Sequence, residues 1–255
     1  MADTVKMDEV QGECGRVALV TGASRGIGAG VARALAGAGW RVAIGYMARR
    51  EDAEAVAAAC PDALPVQIDQ ADAESCEDAL SEVRARLGPI DALVNNAGVA
   101  QERPFFELSD EDWGRMLEVN LLGPVRLSRA VLPSMCERGF GRIVNISSIG
   151  GQWGGQNQVH YAAAKAALIN FTRSMARMYS KDGVTTNAIA PGLVATDMSR
   201  AELETEAGRA KLAAIPSGRL GEVAEIGAAV VYLCSGQAGY VTGQTLNLNG
   251  GMLFV

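Results

Sequence analysis

The chain has 255 residues, 49% apolar and 20% charged, the make-up of one sizeable globular domain or two small ones, able to bury a core without disulfides or metals. Its net charge of −6, from 23 basic and 29 acidic residues, argues against a nucleic-acid protein, which carries a basic excess or stripe. Five scattered cysteines (Cys14, Cys60, Cys76, Cys136, Cys234) without CxxC spacing and a single histidine, His160, argue against a metal site and point to reduced thiols and a cytoplasmic location.

Residues 1–14 hold acidic side chains and no long apolar run. They read as a flexible N-terminal extension, not a signal or transit peptide. No later run reaches the ~18 apolar residues of a transmembrane helix. Residues 15–255 alternate short aliphatic runs with alanine-rich helical stretches. The runs are RVALVT (16–21), RVAIGY (41–46), LPVQI (64–68), IDALVN (90–95), RIVNIS (142–147), VTTNAIA (184–190) and TLNLN (245–249). Strands alternating with helices imply βαβ units and a parallel sheet. Runs apolar on both faces imply helices on both sides. The expectation is a single α/β domain, a Rossmann-like doubly wound parallel sheet of seven strands.

After the first run comes Gly22-Ala23-Ser24-Arg25-Gly26-Ile27-Gly28, leading into a helix. Glycines there permit a tight turn and a close backbone approach to a pyrophosphate, which the helix N-terminus then favours. The spacing is GxxxGxG rather than the commoner GxGxxG, and glycines also make ordinary strand-to-helix turns. Position, after strand one and at a helix start, raises the nucleotide reading.

A dinucleotide site often ends its second strand in Asp or Glu, to bond the ribose 2′-OH. Here the run ends Ile44-Gly45-Tyr46-Met47, and Arg49 and Arg50 follow. A missing acid with Arg25, Arg49 and Arg50 nearby favours a 2′-phosphate and hence NADP(H) over NAD. The alternative is that Arg49 and Arg50 are solvated residues opening the next helix.

Tyr161-Ala-Ala-Ala-Lys165 opens a helical stretch with Gly183 as its C-terminal stop. Residues i and i+4 share a helix face. A neighbouring ammonium favours the phenolate, which would lower the tyrosine pKa from near 10 and fit it for acid–base work. The alternative is a half-buried tyrosine beside a snorkelling lysine.

With both motifs, the chain resembles a short-chain dehydrogenase/reductase over nearly its whole length. TGASRGIG (21–28) is similar to that family's cofactor loop. Asp69, with Gln70 beside it, matches the acidic position that meets the adenine. Asn95-Asn96-Ala97-Gly98 matches the family's NNAG, and Asn120 its helix-borne catalytic asparagine. Ser148, 13 residues before Tyr161, matches the catalytic serine. Pro191 and Gly192, with Val194 and Thr196, match the segment beside the nicotinamide. The resemblance implies that Tyr161 exchanges a proton with the substrate oxygen and Ser148 hydrogen-bonds it. It implies that Lys165 tunes Tyr161 and holds the nicotinamide ribose, and that Asn120 holds a proton-relaying water. Strand alternation turns Ser147 away from Ser148, so Ser147 is read as structural. His160 lies about 100° round the helix from Tyr161 and is read as local structure, with a substrate contact as the alternative. Gln152 and Trp153 either line the pocket or cover the subunit core.

Within the family the likeness is to 3-oxoacyl-thioester reductases, through GRIVNISS, APGLVATDM and TGQTLNLNGG. The implied reaction is NADPH-dependent reduction of a ketone. The alternatives are an NAD(P)-linked dehydrogenase of a small alcohol, sugar or cyclic substrate, and a non-enzymatic dinucleotide-binding regulator. The basic residues that greet an acidic carrier protein at the active-site mouth are displaced by one position here, in Arg138-Gly139-Phe140 and Lys181-Asp182-Gly183. The segment 199–212, read as a lid, carries Glu202, Glu204 and Glu206. Family likeness implies a homotetramer or dimer packed through helices around 104–135 and 160–182 and the C-terminal segment. The partner is then a small carbonyl or alcohol substrate, with no nucleic acid and no membrane.

Overall fold

The computed structural model describes residues 15–196 and 205–255. The proposed extension, residues 1–14, lies outside them, as do Glu202 and Glu204 of the expected lid. All seven expected strands form: β1 (Val17–Val20), β2 (Arg41–Tyr46), β3 (Leu64–Gln67), β4 (Ile90–Asn95), β5 (Gly141–Ile146), β6 (Val184–Pro191) and β7 (Thr245–Leu248). They make one parallel sheet in the order β3-β2-β1-β4-β5-β6-β7.

Strand alternation explains the two-sided core. In β1, Val17 and Leu19 join a cluster with Leu80, Val83, Leu127 and Met135. These come from helices α3 (Ala73–Arg86) and α5 (Gly123–Glu137). Ala18 and Val20 point the other way, into a cluster with Val31, Leu35, Ile226 and Val230. Those belong to α1 (Gly26–Gly37) and to the helix Val223–Cys234. Each fully buried Leu, Ile or Val stabilises by roughly 1.5–3 kcal/mol. The two helices approach closely because Gly30 has no side chain; a Cβ there would stand 1.9 Å from Val223 Cγ1.

The long helix α7 (Val159–Tyr179) carries Tyr161 and Lys165, and runs on through a 3₁₀ turn to Gly183, which sits at φ +78°. A Cβ on Gly183 would fall 2.0 Å from Gly139 O, so the turns leading into β5 and β6 touch. These turns hold Arg138 and Lys181, at the N-terminal edge of the sheet. Within this chain that is the edge opposite the cofactor turn, not the active-site mouth expected from sequence. Arg138 also bonds to the Asp91 carboxylate and donates to Ile90 O.

Candidate active site

The chain order reverses on either side of the β1–β4 pair, the crevice where doubly wound sheets bind ligands. The glycine turn sits there, on the C-terminal end of β1. Gly22 and Gly26 adopt φ +63° and +55°, open to glycine at no steric cost. The glycines differ in role. A Cβ on Gly22 would stand 2.8 Å from Ala97 Cα, and one on Gly28 would stand 2.3 Å from Gly22 O. Both are packing requirements. A Cβ on Gly26 would meet only Thr196 Cγ2, at 3.7 Å, so this glycine faces the open cleft. Helix α1 begins at Gly26 with no side chain capping its first N–H groups. An uncapped helix start behind a glycine turn, with Ser24 and Ile27 beside it, fits a pyrophosphate.

The rest of this shell braces the turn. Asn96 donates through Nδ2 to Thr21 O (2.8 Å) and Gly22 O (3.1 Å). Asn96 N and Ala97 N both donate to Thr21 Oγ1. Asp69 Oδ1 accepts from Ala71 N, shaping its own loop. Gln70 is buried, and its Nε2 donates to Ala97 O (3.0 Å) and Val119 O (2.7 Å). Its amide is therefore turned into the protein and ties the NNAG segment to the helix beyond.

No carboxylate ends β2; Tyr46 is buried and Met47 exposed. Arg25 is exposed at the cap of α1. Arg49 pairs with Asp52 at 3.1 Å and Arg50 with Glu54 at 2.8 Å, all four largely solvated. Arg49 and Arg50 both stand at the solvated opening of the next helix, Arg50–Ala58.

Four chemically active side chains come together beyond β4 and β5. Ser147 turns inward, its Oγ donating to Lys165 O (3.0 Å), as alternation implies. Ser148 Oγ accepts from Gly150 N at 3.1 Å and hydrogen-bonds Tyr161. Lys165 is buried and its Nζ donates to Ile146 O (2.9 Å) while lying 5.8 Å from the Tyr161 ring centre. Burial pushes Lys165 down to about 8. Burial also pushes the Tyr161 phenol up, and the Ser148 hydrogen bond pulls it back only partly. The phenol lowered by a neighbouring ammonium, expected from the i,i+4 spacing, is not what this geometry shows. Burial is the largest cause of the shift, and it favours the protonated phenol.

Asn120 sits on a π-helical turn, Glu118–Leu122, between α4 (Asp110–Leu117) and α5. Such turns place side chains that a regular helix would carry elsewhere. Asn120 is fully buried, and Val99 clamps it twice: Asn120 Nδ2 donates to Val99 O (2.9 Å) and Val99 N donates to Asn120 Oδ1 (3.3 Å). On the far wall, Gly192 N donates to Leu248 O and Ile149 N to Pro191 O, fixing the Pro191–Gly192 turn against β7 and the serine loop. Val194 bridges to Gly221. A cavity of ≈ 400 Å³ lined by Leu193, Ile215, Arg219, Asn247 and Phe254 holds none of the four catalytic candidates.

Sequence reading missed the loop that closes this wall. Gln101 Nε2 donates to Asp112 Oδ1 (2.9 Å), and Gln101 Oε1 lies 3.0 Å from His160 Nε2. Arg103 Nη1 reaches Asp112 Oδ2 at 2.7 Å, and Arg103 N donates to Asn157 O. Ser109 and Asp112 form a capping box at the start of α4; the Ser-x-x-Asp spacing could have revealed it. His160 is buried in this cluster, edge-on to Trp113. The local-structure reading of His160 holds. Trp153 is half exposed, on the short helix after Ser148.

Residues 22–253 match a family model described as Enoyl-(Acyl carrier protein) reductase. The chain is 44% identical over 240 residues to the acetoacetyl-CoA reductase of Rhizobium meliloti (strain 1021), covering 94% of this chain and 99% of that one. It is 43% identical over 242 residues to the 3-oxoacyl-[acyl-carrier-protein] reductase FabG of Escherichia coli (strain K12), covering 94% and 98%. A putative gluconate dehydrogenase from Agrobacterium tumefaciens superposes with a TM-score of 0.92 at 32% identity, covering 97% of this chain and 100% of that one. A putative NAD(P)-dependent gluconate 5-dehydrogenase from Beutenbergia cavernae, solved with NADP bound, gives 0.88 at 37% identity, covering 96% and 99%.

Proposed function

The chain belongs to the short-chain dehydrogenase/reductase family, and from that membership we propose an NADP(H)-dependent reductase of 3-oxoacyl thioesters. The observation that carries the reading is the meeting of Asn120, Ser148, Tyr161 and Lys165 beside a glycine turn built for a dinucleotide. The substrate class rests on the two reductase relatives, each aligned over 94% of this chain. NADP(H) over NAD(H) rests on the absence of an acid after β2 and on the exposed Arg25.

When bound, the nicotinamide supplies a hydride to the carbonyl carbon. The residues of the chain do the rest. The turn at Gly22, Ser24, Arg25, Gly26, Ile27 and Gly28 would hold the phosphates, and Asp69 the adenine side. Pro191, Gly192, Val194 and Thr196 would flank the nicotinamide. Ser148 Oγ accepts the Gly150 N–H, and its hydroxyl hydrogen, engaged with Tyr161 in the free chain, would turn to the substrate oxygen, where negative charge builds up. Tyr161, kept protonated by burial, gives its proton to that oxygen as the carbon–hydrogen bond forms. The product is a secondary alcohol, and the phenolate regains a proton from solvent past Lys165 and Asn120.

The test is NADPH and NADH oxidation by the purified enzyme with acetoacetyl-CoA, a simple β-keto ester, a cyclic ketone and a sugar ketone. Preferred turnover of the thioester with NADPH is the expected result. Turnover confined to the sugar ketone would overturn it in favour of the second reading, a sugar-type dehydrogenase, which both gluconate dehydrogenase-like structures favour. No helix among the described residues is long and apolar enough to cross a membrane. A cytoplasmic homotetramer or dimer completes the proposal. The exposed Phe106, Phe254 and Val255 are surfaces that assembly would cover, and light scattering on the eluted enzyme distinguishes the states.

A further inference from the structure

His160 lies next to Tyr161 but does not point with it. It is fully buried, and its Nε2 lies 3.0 Å from Gln101 Oε1. The other end of the same amide settles which atom carries the proton. Gln101 Nε2 faces Asp112 Oδ1 at 2.9 Å. Asp112 also accepts from Ser109 N, Ser109 Oγ and Arg103 Nη1, and these bonds hold its carboxyl well below the usual range. An ionised carboxylate can only accept, so the Gln101 NH₂ must face it and the carbonyl must face the histidine. His160 is therefore the donor, with its hydrogen on Nε2. Its Nδ1 is buried with no hydrogen-bond partner in the structure.

This chain of bonds joins the two helices that carry the catalytic groups. Asp112 is in the first turn of α4, whose far end runs into the π-turn bearing Asn120. His160 is in the first turn of α7, one residue before Tyr161. Gln101 lies between them, two residues beyond Val99, which clamps Asn120. The helix start of α7 has no side-chain cap of its own. Besides its packing on the serine loop, contacts from the Gln101 loop hold it: Gln101 to His160, Glu102 to Gln158 (3.1 Å) and Arg103 N to Asn157 O (2.8 Å). Of these, only the His160 bond is made by a buried side chain in the helix itself.

We propose that His160, as its Nε2–H tautomer, is a positioning residue: through Gln101 and Asp112 it fixes Tyr161 in register with Asn120. It touches neither substrate nor cofactor. Loss of the donor would let the first turn of α7 shift, and misplacement of a reacting group by about 1 Å can cost on the order of 10²-fold in rate. The proposal rests on the reductase reading for its kinetic arm but not for its spectroscopic one.

His160 is the only histidine, so a long-range ¹H–¹⁵N spectrum of histidine-labelled enzyme reads this ring alone. The expected spectrum is a neutral Nε2–H ring at pH 7, changed by Gln101→Leu. In parallel, His160→Leu should lower kcat for acetoacetyl-CoA reduction at least tenfold while NADPH affinity, read by fluorescence titration, stays within twofold. His160→Asn, whose amide N–H can serve the same acceptor, should recover most of that loss. An Nδ1–H ring in the wild type would overturn the proposal without any variant having to fold. So would an unchanged kcat in His160→Leu, or equal losses in the Leu and Asn variants. Failure of the wild type to reduce any 3-oxoacyl thioester, with the Nε2–H ring seen, would sink the substrate reading and leave the tautomer standing.

Discussion

Asn120 and Lys165 approach each other beside Gly98 because that residue has no side chain. A Cβ at this position would stand 2.6 Å from Asn120 Oδ1 and 3.5 Å from Lys165 Nζ. The backbone of Gly98 is outside the positive-φ set, so alanine there meets a steric objection and no conformational one. Gly98→Ala must displace Asn120 from its two hydrogen bonds with Val99. Overpacking of this kind costs about 1–3 kcal/mol. The expected outcome is a lower unfolding midpoint in urea together with a loss of kcat. An alanine variant with wild-type kcat would mean that Asn120 can move without consequence for the reaction.

Tyr161 and Ser148 make separable contributions. Removing a general acid costs roughly 10²–10⁴-fold in rate. Tyr161→Phe keeps the ring volume and removes only the buried phenol oxygen, so turnover should collapse while NADPH still binds. Ser148→Ala removes both the acceptor of Gly150 N–H and the hydrogen bond to Tyr161. It should lower kcat and raise the Tyr161 phenol further. Ultraviolet titration of the phenolate at 295 nm in the two enzymes checks the direction. An unmoved phenol in Ser148→Ala would show that the hydrogen bond does not tune Tyr161.

The arginines near the cofactor turn divide by their partners. Arg50 lies beside Glu54 in an exposed i,i+4 pair, and Arg49 beside Asp52. Exposed pairs of this kind contribute little. Arg25 stands exposed at the start of α1, beside the glycine turn. A charge-assisted hydrogen bond is worth about 1.5–3 kcal/mol, so Arg25→Ala should raise the KM for NADPH by about ten- to a hundredfold and leave that for NADH nearly unchanged. Arg50→Ala should alter neither. Steady-state kinetics with both cofactors decide it. A larger NADPH penalty in Arg50→Ala would move the 2′-phosphate to the α2 helix (Arg50–Ala58).

The sequence carried the sheet because a strand buried on both faces must be a short apolar run, and seven such runs stand out. It carried Tyr161, Lys165 and Ser148 because they lie on a regular element or directly after a strand, where spacing dictates direction; Asn120 was legible only through the family resemblance. Tyr161 and Lys165 share a face, and Ser147 and Ser148 do not. What it could not carry depends on contacts between distant loops. Gln70 reads as a cofactor neighbour, yet its amide is turned to Ala97 and Val119, 27 and 49 residues away. Arg138 reads as a mouth residue but belongs to the opposite edge of the sheet. The bonds of Gln101 to Asp112 and His160 have no local pattern at all, and the π-turn under Asn120 is invisible to a helical repeat. The Tyr161 pKa went astray for a related reason: spacing reveals the neighbouring charge but not the depth of burial.

Lys165 is expected to set the alkaline limit of the reduction. Its ammonium is buried with Ile146 O as acceptor, and burial holds it at about 8, against about 10.4 for a free lysine. Its charge is the one expected from family likeness to stabilise the Tyr161 phenolate as the proton leaves. The kcat/KM for NADPH, which reports the free enzyme, should therefore fall as pH rises through about 8. Stability should move the other way. Between the lowered value and the free one, the unfolded chain binds a proton that the folded chain has released, so folding gains with rising pH. Below about 8 both states carry the proton and the burial penalty is complete. Lys165→Met lacks this titration while keeping a long apolar stem. The unfolding midpoint of the wild type should accordingly rise relative to that of Lys165→Met between pH 8 and pH 10, other titrations cancelling in the difference. A difference that stays flat across this range would mean that Lys165 keeps an ordinary lysine pKa, and that the alkaline limb of the rate belongs to another group.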